Sequence, residues 1–286
     1  MLREIRDLGF EYAELSHGIR LSLLPGIFEA VDAGEIKIST LHNFCPLPIG
    51  CTHAAPNIFK FSSLDGRERE NAWRHSLKTL DTAARVKAQL VVLHLGAIEM
   101  KDYTDKLLKL IQNGQRETPK FESLCLEISE KREAKKEAYV NNATEMVRRL
   151  AGEATRLGLK LGIENREAIP EIPLDSDFPF LFKELTDPVI GYWHDTGHAQ
   201  IKENLGFTNH YLQLESLAPR LHGFHIHDVT YPDHDHCPPG QGMIDFAALK
   251  TFVKPEHIKV FELGPKVPVE AVRTGTALLR SLWGPE

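Results

Sequence analysis

Gln89-Leu90-Val91-Val92-Leu93-His94-Leu95-Gly96 is a short apolar run that passes through a histidine, and the segment before it, Glu68–Lys87, carries apolar residues at helical spacing. A helix-period segment feeding a continuous apolar run marks a strand buried on both faces of a parallel sheet. The pattern recurs. Further β-rich runs lie at Glu11–Leu15, Ile36–Leu41, Leu159–Glu164, Val189–His194, His222–His227 and Ile258–Glu262, and another helical pattern covers Phe246–Thr251. Strands alternating with helices imply βα units. No dinucleotide-type glycine fingerprint follows the first strand, so the α/β class narrows to a (β/α)8 barrel of the TIM type rather than a Rossmann sheet.

Two irregularities stand out. Met1–Gly9 reads as a helix closed by a glycine C-cap directly before Glu11–Leu15, so the barrel lacks or truncates its first strand. Either the start is placed too late, or the open edge is covered by a terminal segment or a second copy of the chain. Residues 101–158 are far too long for an ordinary crossover. They carry Phe121, Leu124, Cys125, Ile128 and then Met146, Val147, Leu150, Ala154, Leu157 at helical spacing, which predicts a helical insertion. Within it, Ser129–Glu137 reads as a solvated helix face laced with i,i+4 charge pairs, or as a lid meeting an anionic substrate. The expectation is one domain over residues 1–286.

Composition narrows the function classes. The 286 residues include 34 Lys and Arg against 40 Asp and Glu, a net charge of -6 that argues against broad adhesion to nucleic acid. No apolar stretch approaches the ~18 residues of a membrane span, and the acids in Met1–Asp7 exclude a signal peptide's apolar core. Cys45, Cys51, Cys125 and Cys237 form no CxxC pair, which points to reduced thiols and a cytoplasmic location.

Histidine carries the first hint of chemistry. Of 14, those at 194, 198, 210, 222, 225, 227, 234 and 236 crowd into one stretch. Nearly every strand ends in a metal-capable residue: His42, His94, Glu164, Asp195, His225 with His227, and Glu262. Strand periodicity puts His225 and His227 on one face with Phe224 and Ile226 on the other, and Glu262 on the face opposite Phe261. In a parallel barrel those ends meet at a single mouth. Carboxylates and imidazoles crowded there repel unless a cation sits among them, and mixed N/O donors suit Mn, Zn, Co or Mg rather than calcium. His17, His53, His75, His210 and His257 read as surface residues. His194 and His222 fall on the outward face, and Trp73 and Trp193 read as core or rim packing. The Gly240-Gln241-Gly242 turn reads as a chain reversal rather than a phosphate cradle.

The ordered series of motifs resembles the xylose isomerase-like TIM-barrel superfamily, which holds sugar isomerases and epimerases and the endonuclease IV type of AP endonuclease. The carriers are Gly9–Leu15, the His42 strand, Ser62-Ser63-Leu64-Asp65 to Arg74, Val91–Gly96, Gly162-Ile163-Glu164-Asn165, Asp195-Thr196-Gly197-His198, His225-Ile226-His227-Asp228, Pro238–Phe246 and Phe261-Glu262. The resemblance implies a divalent metal on Glu164, Asp195, His225 and Glu262. In the sugar isomerase and epimerase branch, Glu164 and Glu262 would also exchange a proton with a sugar, sugar phosphate or polyol. His198 and Arg166 are the expected substrate contacts. In the endonuclease branch His42 and His94 would join Glu164 at one zinc, and His198, His234 and His236 would hold another. The chain departs from that branch at His234, where an aspartate is expected, and at Asn43-Phe44-Cys45-Pro46, which lacks the DNA-inserting tyrosine. The favoured expectation is therefore a carbohydrate substrate, with no nucleic acid or membrane partner and a homo-oligomer left open. Abasic-DNA cleavage and dehydratase or lyase chemistry on a cyclic polyol are the alternatives.

Overall fold

The computed structural model describes residues 2–55 and 57–284. Seven parallel strands follow one another in a single sheet, in the order β1 (Tyr12–Leu15), β2 (Lys37–His42), β3 (Leu90–Leu93), β4 (Lys160–Glu164), β5 (Ile190–Asp195), β6 (Leu221–Ile226) and β9 (Ile258–Phe261). Every run expected from the sequence is present, its ends shifted by about one residue. The chain divides into two compact units. The first comprises Met1–Ala97, Ala138–Glu164 and Pro179–Gly191; the second comprises Ile98–Glu137, Asn165–Phe178 and Tyr192–Glu286.

In the first unit, β2 buries five of its six residues and β3 all four. That is the burial expected of parallel strands covered on both faces. The helix Gly66–Arg85 starts where Asp65 caps it, accepting the Arg67 N–H at 2.8 Å. Its buried face includes Ala72, Ser76, Thr79, Leu80 and Ala83, a helical period. Two polar members of that face hold the loop after β2: Ser76 Oγ accepts from Asn43 at 2.8 Å, and Thr79 Oγ1 accepts the Cys45 N–H at 3.0 Å. The chain opens with the helix Leu2–Asp7, followed by Gly9 at φ +93°. Met1 lies outside the described residues. Among them no strand precedes β1, as the sequence pattern anticipates.

In the second unit, β5 and β6 pair so that Asp195 lies opposite His225 and Trp193 opposite Gly223. Trp193 is fully buried, and a Cβ on Gly223 would run into its ring, so this tryptophan belongs to the core. β9 continues the sheet, with His225 opposite Val260. The periodicity reading did not anticipate the antiparallel hairpin of β7 (Asp228–Thr230) and β8 (His234–Cys237). Its strands are short and polar, with no apolar alternation to announce them.

The insertion is helical as expected, with helices Thr104–Gln112, Pro119–Glu133 and Lys136–Leu157. The charged run within it is only partly a solvated face. Lys131 pairs with Glu127 one turn away at the surface, but Arg132 is 1% exposed. Its guanidinium donates to both oxygens of Asp177, at 3.2 and 2.6 Å, and to the carbonyls of Ile169 and Glu171 at 3.0 and 3.1 Å. Burial pushes the Asp177 carboxyl up, but Arg132 outweighs this and holds it below the usual range. Arg132 thus ties the loop after β4 to the insertion. Four donor contacts answer the desolvation of the charge, which a solvated-face reading does not foresee.

Four histidines depart from the surface expectation, among them His75, half-buried with its ring stacked 5.1 Å from that of Phe59. His210 and His257 are buried, at 4% and 6% exposure, and His17 sits half-buried with its ring 5.3 Å from that of His42.

Arg132→Met removes one partner of a buried ion pair and two carbonyl contacts. The expected loss is about 3–5 kcal/mol in urea unfolding, whereas Lys131→Met, on the exposed face, shifts it by less than ~1 kcal/mol.

Candidate metal centre

Asp195 ends β5 and caps the helix Thr196–Leu205, its carboxylate accepting the His198 N–H at 2.7 Å. A helix N-terminus favours negative charge there. Asn165 brackets the same residue, donating to the Asp195 carbonyl at 2.9 Å and accepting its N–H at 2.7 Å. On the neighbouring strand, His225 Nδ1 stands 3.1 Å from Glu262 Oε2 and 3.9 Å from Asp195 Oδ2. Glu262 follows β9 directly, its N–H donating to Ile226 O at 3.2 Å. The Asp195 and His225 side chains are fully buried, while that of Glu262 is 32% exposed.

One imidazole nitrogen therefore faces two carboxylates, and one ligand-capable atom from each of the three residues lies within 4.8 Å of the others. Anions this close and this dry need a cation or a proton between them. The mixed N/O donor set suits a transition-type divalent ion such as Zn, Mn or Co better than an ion that takes oxygen ligands alone, and no thiolate stands among the three. The strand ends carrying Asp195, His225 and Glu262 thus lie side by side.

His227 lies behind this group, fully buried. Its Nε2 is 3.0 Å from Asp195 Oδ1 and its Nδ1 accepts the His236 N–H at 2.9 Å. Burial lowers its pKa and the Asp195 carboxylate raises it, with the second prevailing. An imidazolium would nonetheless turn an Nδ1–H against the His236 N–H, so the hydrogen bonds select the neutral ring.

Around the rim of the second unit, Glu167, His198 and Asp235 form another His–carboxylate group, with ligand atoms within 4.8 Å. His198 Nδ1 is 3.1 Å from Asn165 O. Burial raises the Glu167 pKa. His236 pairs with Asp235 at 2.9 Å; burial lowers its pKa, but Asp235 prevails and pushes it up to about 9. His234 is exposed and, among the described residues, joins no such group. Strand alternation would put His234 beside His236, but His236 has left-handed backbone (φ +52°), which breaks the period; Asp235 takes that place instead. Arg166 is 7% exposed and donates from Nε to Glu171 Oε1 at 3.2 Å. The Gly240-Gln241-Gly242 turn is braced internally. Asp228 accepts the N–H groups of Gly240, Gly242 and Ile244 at 2.9, 2.8 and 3.0 Å, so those amides are already taken.

The first unit holds its own cluster. His42, at the end of β2, is 3.1 Å from Glu14 Oε1, and Thr40 donates to Glu14 Oε2 at 2.6 Å. His94, just past β3, is ion-paired through Nε2 with Glu164 Oε2, and the His42 and His94 rings are 5.2 Å apart. His42, His94 and Glu164 bring ligand atoms within 4.8 Å, and all three are buried. Glu14 was missed in the sequence. The available signal was a charged residue between Ala13 and Leu15, both buried in β1.

The chain belongs to the xylose isomerase-like TIM-barrel family, whose model matches residues 2–282. Its fold is therefore the (β/α) barrel expected from the strand pattern. Solved structures share that fold at low identity. A 3-keto-D-glucoside 4-epimerase from E. coli is 17% identical with a TM-score of 0.67, covering 98% of this chain and 92% of that one. A D-psicose 3-epimerase crystallised in the presence of D-fructose is 16% identical with a TM-score of 0.69, covering 99% and 93%. A Thermus thermophilus protein soaked with zinc chloride is 19% identical with a TM-score of 0.63, covering 98% and 91%. No curated protein matches the chain in sequence.

The outer face of β5 carries a buried chain of neutral groups. Tyr192 OH lies 2.7 Å from His194 Nδ1, His194 Nε2 lies 2.9 Å from His210 Nε2, and His210 Nδ1 lies 3.3 Å from Gln200 Oε1. Burial holds His194 well below its usual pKa and His210 down to about 4; nearby Lys202 lowers His210 further, while Asp195 opposes. In the unfolded chain His210 titrates near ~6.5. Between that value and about 4 the unfolded state takes up a proton that the folded state refuses. Stability is therefore complete above the upper value and falls with pH through the window, by at most ~1.4 kcal/mol per pH unit for this residue. Urea titrations at pH 7 and pH 5 should show that His210→Gln loses less stability on acidification than the wild type. Equal losses would refute the assignment.

Proposed function

We propose that this chain is a divalent-metal-dependent isomerase or epimerase of a sugar, sugar phosphate or related polyol. Glu164, Asp195, His225 and Glu262 would hold one ion. The observation that carries the reading is His225 Nδ1 facing two carboxylates, at 3.1 and 3.9 Å, at the ends of adjacent strands. Glu164 joins the proposal by connectivity. It ends β4 and is bonded to Asn165, whose side chain is locked to the Asp195 backbone in both directions. The family and the epimerases among the solved structures of this fold support the same class.

A divalent ion bound there supplies a Lewis acid for a carbonyl or hydroxyl oxygen. The chain's own residues do the rest. Glu262, the member that reaches solvent, takes the proton from the carbon next to the carbonyl, and Glu164 returns one to the opposite face. Asp195 stays ionised, held by the His198 N–H and by His227. His198, if its Nδ1–H donates to Asn165 O, keeps an Nε2 lone pair that can accept a sugar hydroxyl. Arg166, whose Nε donates to Glu171, would contact an anionic group on the substrate.

The His42, His94 and Glu164 cluster favours a second reading, a multi-zinc phosphodiesterase of the endonuclease type. Metal content separates the two: one equivalent per chain fits the isomerase, three zincs the nuclease.

Two outcomes test the first reading. In D₂O, a panel of ketoses, their phosphates and inositol-type ketones should take deuterium at one carbon beside the carbonyl, only with metal present. Product formed without label would exclude proton transfer between two carboxylates. Glu262→Gln and Glu164→Gln should each lower that exchange by about 10²- to 10⁴-fold with the fold intact. Full activity in either variant would sink its role.

A further inference from the structure

We infer that His227 is a positioning residue that orients the Asp195 carboxylate and does not itself bind the ion. The inference rests on Asp195 being a metal ligand, as proposed above. His227 Nε2 stands 3.0 Å from Asp195 Oδ1 and 3.1 Å from Oδ2. Its Nδ1 is 2.9 Å from the His236 backbone nitrogen. A backbone amide can only donate, so Nδ1 supplies the lone pair and the ring proton sits on Nε2, aimed at the carboxylate. Both nitrogens are then committed, and neither has a lone pair left for a metal.

The surroundings hold the ring in that pose. Thr196 Oγ1 donates to the His227 carbonyl at 2.7 Å and accepts the His227 N–H at 3.1 Å, fixing the backbone on both sides. The His236 ring stacks on it, with centroids 4.3 Å apart and planes 7° apart. Gly197 leaves the room the ring needs, because a Cβ at that position would fall inside the imidazole. Asp195-Thr196-Gly197-His198 thereby reads as a unit. It comprises a ligand, a clamp on the backbone of the orienting histidine, a gap for its ring, and an N–H that caps the ligand at 2.7 Å. Oδ1 accepts the His198 N–H, and the Nε2–H is bonded to Oδ2, the oxygen 3.9 Å from His225 Nδ1, with Oδ1 also within 3.0 Å of Nε2. Fixing the carboxylate before the ion arrives removes an ordering cost from binding. Outer-shell partners of this kind typically change metal affinity about 10- to 100-fold.

The test is titration of chelator-stripped protein with Co²⁺, read by the visible absorption bands that report ligand number and geometry. His227→Gln and Gly197→Ala, the second by displacing the ring, should each weaken Co²⁺ binding about 10- to 100-fold and leave the far-UV circular dichroism of the metal-free protein unchanged. Should His227→Gln fail to fold, Gly197→Ala and Thr196→Val carry the test. In a His227→Ala background the vacated space accepts the extra methyl, so adding Gly197→Ala should change affinity by less than about twofold. Wild-type affinity in His227→Gln and Gly197→Ala would overturn the inference, as would an equal Gly197→Ala loss in both backgrounds. Loss of one nitrogen ligand from the Co²⁺ bands of His227→Gln would make His227 a ligand and also overturn it. A wild-type protein that binds no Co²⁺ removes the metal reading itself, and this inference with it.

Discussion

The carboxylate of Asp195 is fully buried at the end of a strand, and the second unit is arranged around that fact. An isolated ionised carboxylate in so dry a place is strongly disfavoured. Here it caps the helix Thr196–Leu205, accepts a hydrogen bond from His227 Nε2, and stands near His225. Its backbone is fixed by Asn165. Each partner comes from a different part of the chain. The carboxylate can stay ionised only while β5, β6, the helix after β5 and the loop after β4 keep their places. A cation beside Oδ2 would complete the compensation, which is why the same geometry serves both folding and chemistry.

That loop after β4 shows how remote residues enter the account. It carries Asn165, bonded to the Asp195 backbone, Glu167, grouped with His198, and Arg166 paired with Glu171. Arg132, from the insertion, holds its far part through Asp177 and two carbonyls. The long insertion is thus an anchor for the segment that follows Glu164. It gives the charge-rich run a structural role where the sequence suggested a solvated face or a lid.

Much of this was legible in the sequence because apolar runs and their end residues follow simple geometry. Strand alternation put His225 on the face away from Phe224 and Glu262 on the face away from Phe261, and β2 to β6 and β9 lie within about one residue of the expected runs. What escaped lies where that periodicity fails. The β7–β8 hairpin is short and polar, and the left-handed backbone at His236 separates His234 from it, so Asp235 rather than His234 meets His198. Arg132 looked exposed because its neighbours are charged; only tertiary partners reveal its burial. His210 looked peripheral because its partners, His194 and Gln200, come from β5 and from a helix whose packing no local pattern announces.

The most direct test of the account is anomalous diffraction from crystals grown with Mn²⁺. One strong anomalous peak is expected, bonded by Asp195, His225, Glu262 and Glu164, with His227 donating to Asp195 from outside the coordination shell. A peak held by His42 and His94 without Asp195, or no peak beside His225 Nδ1 at saturating metal, would contradict it.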